Sequence, residues 1–177
     1  MDCVLFRHGI AVDAEDWQGL DAQRPLTLKG VEKTRGAAGG LTRLDVAPTH
    51  VISSPFIRAL DTAKIIREVF KIRDDSPPCE ALLPDAPPDQ LVAWLATLPG
   101  DASVVCVGHE PNLGQAAGFM LFGAGVWGLS LKKAGACAIR FDDMPKPGEG
   151  QLRWWMMPSQ LRSMAKSDRG RRSKSDR

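Results

Sequence analysis

The chain's 177 residues, 44% apolar and 25% charged, fit one soluble globular domain with a full hydrophobic core and argue against disorder. No apolar run is long enough to cross a bilayer, and the N-terminus lacks the regions of a secretory signal, so a cytoplasmic protein is expected. The net charge of +2 conceals a split: from Arg162 onward seven Lys or Arg face two Asp, and removing that +5 leaves the rest at −3.

Residues 165–177 show no apolar periodicity and read as a basic, disordered and solvated tail behind a single domain covering 1–164; neither nucleic acid nor membrane is the expected partner. Cys3, Cys79, Cys106 and Cys137 are scattered without a CxxC pair. Three of them lie in apolar runs, where a free thiol packs as a small hydrophobe, so no structural zinc site is expected.

In chain order, the apolar run CVLF predicts a first strand. A long polar loop from Ile10 to Gln23 follows and carries Trp17, whose ring is expected to pack against the body. LTLKGVEKTRGAAGGLTRL predicts a helix with Thr27 as its N-cap and an end blurred by Gly39 and Gly40. THVIS predicts a second strand, and SPFIRALDTAKIIREVF a helix opened by Ser54 as cap with Pro55 in its first turn. A proline-rich stretch then holds a short strand candidate, ALLP. DQLVAWLATL predicts a helix, SVVCV a strand and EPNLGQAAGFMLF another helix. GACAIRF and QLRWWMM, joined by a turn rich in Pro and Gly, predict an antiparallel hairpin, and PSQLRSMAK a short terminal helix. The alternation of β and α segments predicts a three-layer α/β/α sandwich around a mostly parallel sheet with an antiparallel edge. The unbroken apolarity of VLF and SVVCV suits strands covered on both faces.

In open α/β sheets ligands bind beyond the carboxyl ends of the strands. Here Arg7-His8-Gly9 follows the first strand, Ser54 to Arg58 the second, and Gly108-His109-Glu110-Pro111 the strand SVVCV. Two of the chain's three histidines therefore share one sheet edge with two arginines. The third, His50, precedes a strand and reads as a surface histidine at the opposite edge. Arginine forks match phosphoryl oxygens, and helix N-termini add backbone donors. A neutral imidazole among such cations stays unprotonated and nucleophilic. The set lacks the clustered carboxylates of a magnesium site and the third ligand of a zinc site. Phosphoryl transfer through a covalent phosphohistidine, without metal or cofactor, is the working mechanism.

VLFRHG, the segment RPLTLKG from Arg24 to Gly30, SSPFIRALDTA and VVCVGHEPNLG together resemble the histidine phosphatase superfamily. The short length, EALLPDAPPDQL and the ending WWMMPSQLRSM resemble its compact SixA-like phosphohistidine phosphatases. The resemblance runs from the first strand to about Met164 and implies the superfamily's phosphoglycerate mutase-like fold. It further implies that His8 attacks phosphorus and that Arg7, Arg58 and His109 bind the phosphoryl oxygens. Gly9 is implied to let the backbone pass close to the phosphate. Arg24 is a candidate at the pocket rim, against a reading as an arginine that steadies the loop. Arg58 has its own alternative, a surface pair with Asp61 three residues on.

Many superfamily members protonate the leaving group with a carboxylic acid. Glu110 is the candidate here, against simple helix N-terminal chemistry, with Glu80 and Asp85 as alternatives. The acid bears on the substrate. A phosphate ester expels an alkoxide, which needs a proton, whereas a protonated phosphohistidine expels neutral imidazole with little help. A chain this short has few residues to roof its pocket, and an open pocket admits a phosphorylated side chain on a protein surface. The expected activity is removal of phosphate from a phosphohistidine-bearing domain of a signalling or phosphotransfer protein, by a monomer. The alternatives are a phosphomonoesterase acting on a small metabolite and a non-catalytic phosphoprotein-binding module. The intact nucleophile argues against the last.

Overall fold

Alternation within the first strand decides the layering. In β1 (Asp2–Arg7), Cys3 and Leu5 turn to one side of the sheet and Val4 and Phe6 to the other, and all four are buried. The same division recurs in β3 (Ser103–Gly108), where Val104 and Cys106 face one way and Val105 and Val107 the other. Such strands need cover on both faces. The computed structural model, which describes residues 1–73 and 76–166, supplies it. Helices α1 (Leu28–Leu41), α2 (Ile57–Phe70) and α5 (Pro158–Lys166) contribute Ala37, Ala38, Leu41, Ala59, Ala63, Ile66 and Leu161 to one core. Helices α3 (Pro88–Leu95) and α4 (Asn112–Phe122) close the other with Leu91, Leu95, Leu113, Ala117 and Met120. All four cysteines are buried and free.

The sheet order is β2-β3-β1-β4-β5, where β2 is His50–Ser53, β4 Ala136–Arg140 and β5 Gln151–Met156. Strands β2, β3 and β1 run parallel, β4 pairs antiparallel with β1, and β5 antiparallel with β4. This is the expected three-layer fold with its antiparallel edge.

Two local expectations are corrected. ALLP does not form a strand; Glu80–Leu82 is one 3-10 turn between buried Cys79 and the proline-rich entry to α3. Ser54 does not cap α2, which begins at Ile57 after Phe56 and has no side-chain cap. The glycine pair does lie at the end of α1, which closes one residue later at Leu41, and a Cβ at Gly40 would collide with the backbone of Leu161; glycine there is the condition for close α1–α5 packing. Thr27 does cap α1, accepting the Gly30 N–H at 2.9 Å. His50 opens β2 at the far edge, its Nδ1 2.8 Å from Thr49 Oγ1. Helix α5 runs to Lys166, and residues 167–177 of the expected tail lie outside the described residues.

Candidate active site

Strand register assembles the site. Arg7 pairs with Gly108 across β1 and β3, so the next residues, His8 and His109, leave the sheet side by side with ring centroids 4.9 Å apart. Ser53 pairs with Val107, and the Ser54 N–H continues the ladder to the Val107 carbonyl at 2.9 Å, which brings Ser54 beside His109. The Gly9 N–H donates to Thr62 Oγ1 at 3.0 Å, so α2 pins the loop that follows β1.

His8 is only 6% exposed. Its Nδ1 lies 2.7 Å from the Gly9 carbonyl, an acceptor only, so Nδ1 carries the proton and Nε2 keeps its lone pair. Burial, then the positive charges of Arg58, Arg7 and Lys133, lower its pKa to about 3 against the pull of the Gly9 bond. A nucleophilic neutral imidazole is thus the resting form. A Cβ at Gly9 would meet Thr34 Oγ1 and Leu26, on the side of α1.

His109, 2% exposed, has Nε2 2.9 Å from Ser54 Oγ. Ser54 Oγ accepts the Phe56 N–H at 3.3 Å and has a proton of its own to give; given to Nε2, it selects the tautomer in which Nδ1 is the donor. Burial first, then His8, Arg58 and Arg7, lower the His109 pKa to about 3, with Asp21 acting the other way. Phe56 wedges between His109 and Arg58, its ring edge-on to His109 at 5.1 Å and 4.8 Å beneath the Arg58 guanidinium.

Both arginines expected to bind phosphate are braced. Arg58, 4% exposed, donates Nη1 to the Asp21 carbonyl at 2.7 Å and Nη2 to Asp21 Oδ2 at 2.9 Å. Asp61, the partner that spacing suggested, instead accepts the Leu26 N–H at 3.2 Å. Arg7 donates Nη1 to the Leu131 carbonyl at 2.8 Å. Burial lowers both guanidinium pKa values, and one carboxylate opposes it in each case, Glu110 for Arg7 and Asp21 for Arg58. Arg7 Nε, Arg58 Nε and His109 Nδ1 are buried without a hydrogen-bond partner among the described residues. Unpaired buried donors are costly, and three beside one imidazole fit an oxyanion.

Arg24 steadies the loop. Its Nε donates to Asp21 Oδ1 at 2.7 Å and its Nη1 to the Val12 carbonyl at 2.7 Å. Trp17 folds over Gly19 and donates to the Leu20 carbonyl at 3.0 Å, packing on its own loop. Glu110 is held by the Leu131 N–H at 2.7 Å and the Gly114 N–H at 3.3 Å. Burial raises its pKa against those two bonds and the Arg7 charge. Glu80 and Asp85 are exposed.

The sequence reading missed Asp21, Ser54 as a histidine partner, Phe56 and Lys133. Lys133 escaped because an antiparallel strand brings its start, not its end, to this edge. The residues before β4 dock here, with the Ala134 N–H 3.0 Å from the Arg7 carbonyl.

A family profile for the histidine phosphatase superfamily (branch 1) matches residues 3–76. Phosphohistidine phosphatase SixA of Escherichia coli (strain K12) is 28% identical over 170 residues, spanning 94% of this chain and 99% of SixA. A solved structure of the protein histidine phosphatase SixA complexed with tungstate superposes with a TM-score of 0.79 at 25% identity, covering 91% of this chain and 99% of that one. The chain belongs to the histidine phosphatase superfamily. An uncharacterised protein of Picosynechococcus sp. is 36% identical over 142 residues, 79% of this chain and 85% of its own length. Within the superfamily the similarity to SixA supports a phosphatase activity. No helix among the described residues is long and apolar enough to cross a membrane.

Proposed function

We propose that this histidine phosphatase removes phosphate from phosphohistidine on signalling or phosphotransfer proteins of the cytoplasm, through a phosphorylated His8 and without metal or cofactor. The observation that carries the reading is a neutral His8 4.9 Å from His109 and under the charges of Arg58 and Arg7, with Arg7 Nε, Arg58 Nε and His109 Nδ1 buried and unpartnered among the described residues. A phosphoryl group bound there would offer its three equatorial oxygens to those donors while Nε2 attacks in line. The leaving imidazole departs on the opposite, solvent side, and water then hydrolyses phospho-His8.

The acid candidate favours phosphohistidine over esters. Each Glu110 oxygen accepts a backbone N–H, bonds that favour the carboxylate over the acid. Glu110 therefore serves the fold, and an alkoxide leaving group has no evident donor beside it. Imidazole needs none. The long Ile10–Gln23 loop reaches the site through Asp21, which holds Arg58.

The test is phosphate release from a histidine-phosphorylated carrier domain, beside p-nitrophenyl phosphate and a panel of sugar phosphates, in EDTA, with His8→Ala as control. Preferential release from the carrier, abolished in the variant, is the expected result. Faster release from a metabolite would overturn the substrate, and activity surviving in His8→Ala would overturn the nucleophile.

A further inference from the structure

Asp21 is a carboxylate at the mouth of a pocket built to bind an anion. It lies in the 3-10 turn Asp21–Gln23, and its side chain is 55% exposed although both its oxygens engage arginines. Oδ1 takes both Nε and Nη2 of Arg24, at 2.7 and 2.6 Å, and Oδ2 takes Arg58, which leaves an acceptor site open on Oδ2. A bare phosphate gains nothing from such a neighbour. In-line attack by His8 from beneath sends the departing group to the solvent side, the side to which exposed Asp21 opens beside Arg58.

We propose that Asp21 is a specificity-determining residue that accepts a hydrogen bond from the distal ring N–H of the substrate's phosphohistidine and so selects an imidazole over an alkoxide leaving group. This rests on the phosphohistidine reading above. The step balances without a proton donor. The substrate ring enters as a cation, with phosphorus on one nitrogen and a proton on the other. His8 Nε2 forms the new P–N bond as the old one breaks, and that electron pair stays on the substrate nitrogen. The substrate leaves as neutral imidazole with its distal proton in place. The positive charge passes to the phospho-His8 ring, whose Nδ1–H donates to the Gly9 carbonyl.

The carboxylate's role is to keep the substrate ring protonated at neutral pH. Three groups face Asp21: Arg24 on its own turn, Arg58 from α2, and His109, whose pKa it partly sustains. Burial works to raise the Asp21 pKa, but the hydrogen bonds from Arg24 and Arg58 prevail and lower it. Asp21 thus stays ionised, unfit to protonate an alkoxide and suited to holding a cation.

The experiment compares wild type, Asp21→Asn and Asp21→Glu on a histidine-phosphorylated carrier and on p-nitrophenyl phosphate across pH. Asn keeps an oxygen for Arg58 but removes the charge. Its carrier-to-ester ratio of kcat/KM is expected to fall about tenfold, and the alkaline limb of its carrier profile to move down by about one pH unit. Glu is expected to restore the limb. Equal losses on both substrates, with the limb unmoved, would show that Asp21 only braces Arg58 and would overturn the proposal. The wild type alone supplies a check that no misfolded variant can spoil: its alkaline limb must lie above the ring ionisation of free phosphohistidine titrated in the same buffer. A wild type that ignores the carrier yet hydrolyses esters overturns the function itself, a result distinct from either variant outcome.

Discussion

Arg7 and Glu110 grip the same residue from opposite sides: Arg7 Nη1 donates to the Leu131 carbonyl at 2.8 Å while Glu110 Oε1 accepts the Leu131 N–H at 2.7 Å. The carboxylate that follows the second histidine thus fixes the loop that aims the first arginine. This recasts the acid candidate as a brace and makes a prediction.

Glu110→Gln keeps an acceptor for the Leu131 N–H and is expected to hold kcat within about fivefold. Glu110→Ala leaves that buried N–H without its charged partner, a loss on the order of 1.5–3 kcal/mol, and loosens Arg7. Its kcat/KM is expected to fall by about tenfold or more. A general acid would behave differently, since Gln cannot donate the proton and would be as inactive as Ala on p-nitrophenyl phosphate.

Ser54→Ala tests the tautomer of His109. Without the hydroxyl, Nε2 has no donor to accept from, and nothing holds the proton on Nδ1, where the oxyanion needs it. The expected cost is roughly ten- to hundredfold in kcat, less than deleting an oxyanion donor outright. Ser54→Thr, which retains the hydroxyl, should recover part of it. Equal activity in Ala and wild type would mean that Ser54 merely fills space.

The fold and the core of the site were legible because both depend on where strands stop. Strand ends are marked by the switch from an apolar run to RHG, SSP or GHE, and parallel pairing carries them to one edge. What stayed hidden depends on register and loop path. Asp21 lies thirty-seven residues from Arg58 and outside every strand end, so no spacing rule links them, whereas Asp61 at i+3 offered a ready but unused partner. Ser54 read as a cap because Ser-Pro usually starts a helix; the two extra residues before Ile57 exist to turn its hydroxyl toward His109. Gly9 and Gly40 owe their identity to atoms of α1 and Leu161, which a single sequence does not bring near.

The two buried imidazoles make stability depend on pH. Both are held at about 3, below the usual 6.5 of an unfolded chain. Between those values the unfolded state binds protons that the folded state refuses, so stability rises with pH through the window. The penalty is absent above about pH 6.5 and grows as pH falls toward 3. Urea unfolding at pH 7 and pH 5 should show a loss on the order of 1–2 kcal/mol per histidine. The double variant His8→Gln, His109→Gln should lose correspondingly less. Parallel pH dependence in the two proteins would mean that neither imidazole is depressed.

The last prediction concerns the α1–α5 seam that covers one face of the sheet. A methyl group at Gly40 would overlap the Leu161 carbonyl and approach its Cα at 2.8 Å, and backbone cannot swing aside. Gly40→Ala should therefore destabilise by about 1–3 kcal/mol, the range for overpacking a filled core. Gly36 lies one turn earlier on the same helix, but its added methyl would meet only the Arg162 side chain, with Cγ at 3.1 Å, and that chain is long enough to give way. Gly36→Ala should be neutral or stabilise by up to about 1 kcal/mol through helix propensity. Chemical denaturation of the two variants separates packing from propensity: equal shifts of either sign would mean that α5 does not press on α1 at Gly40.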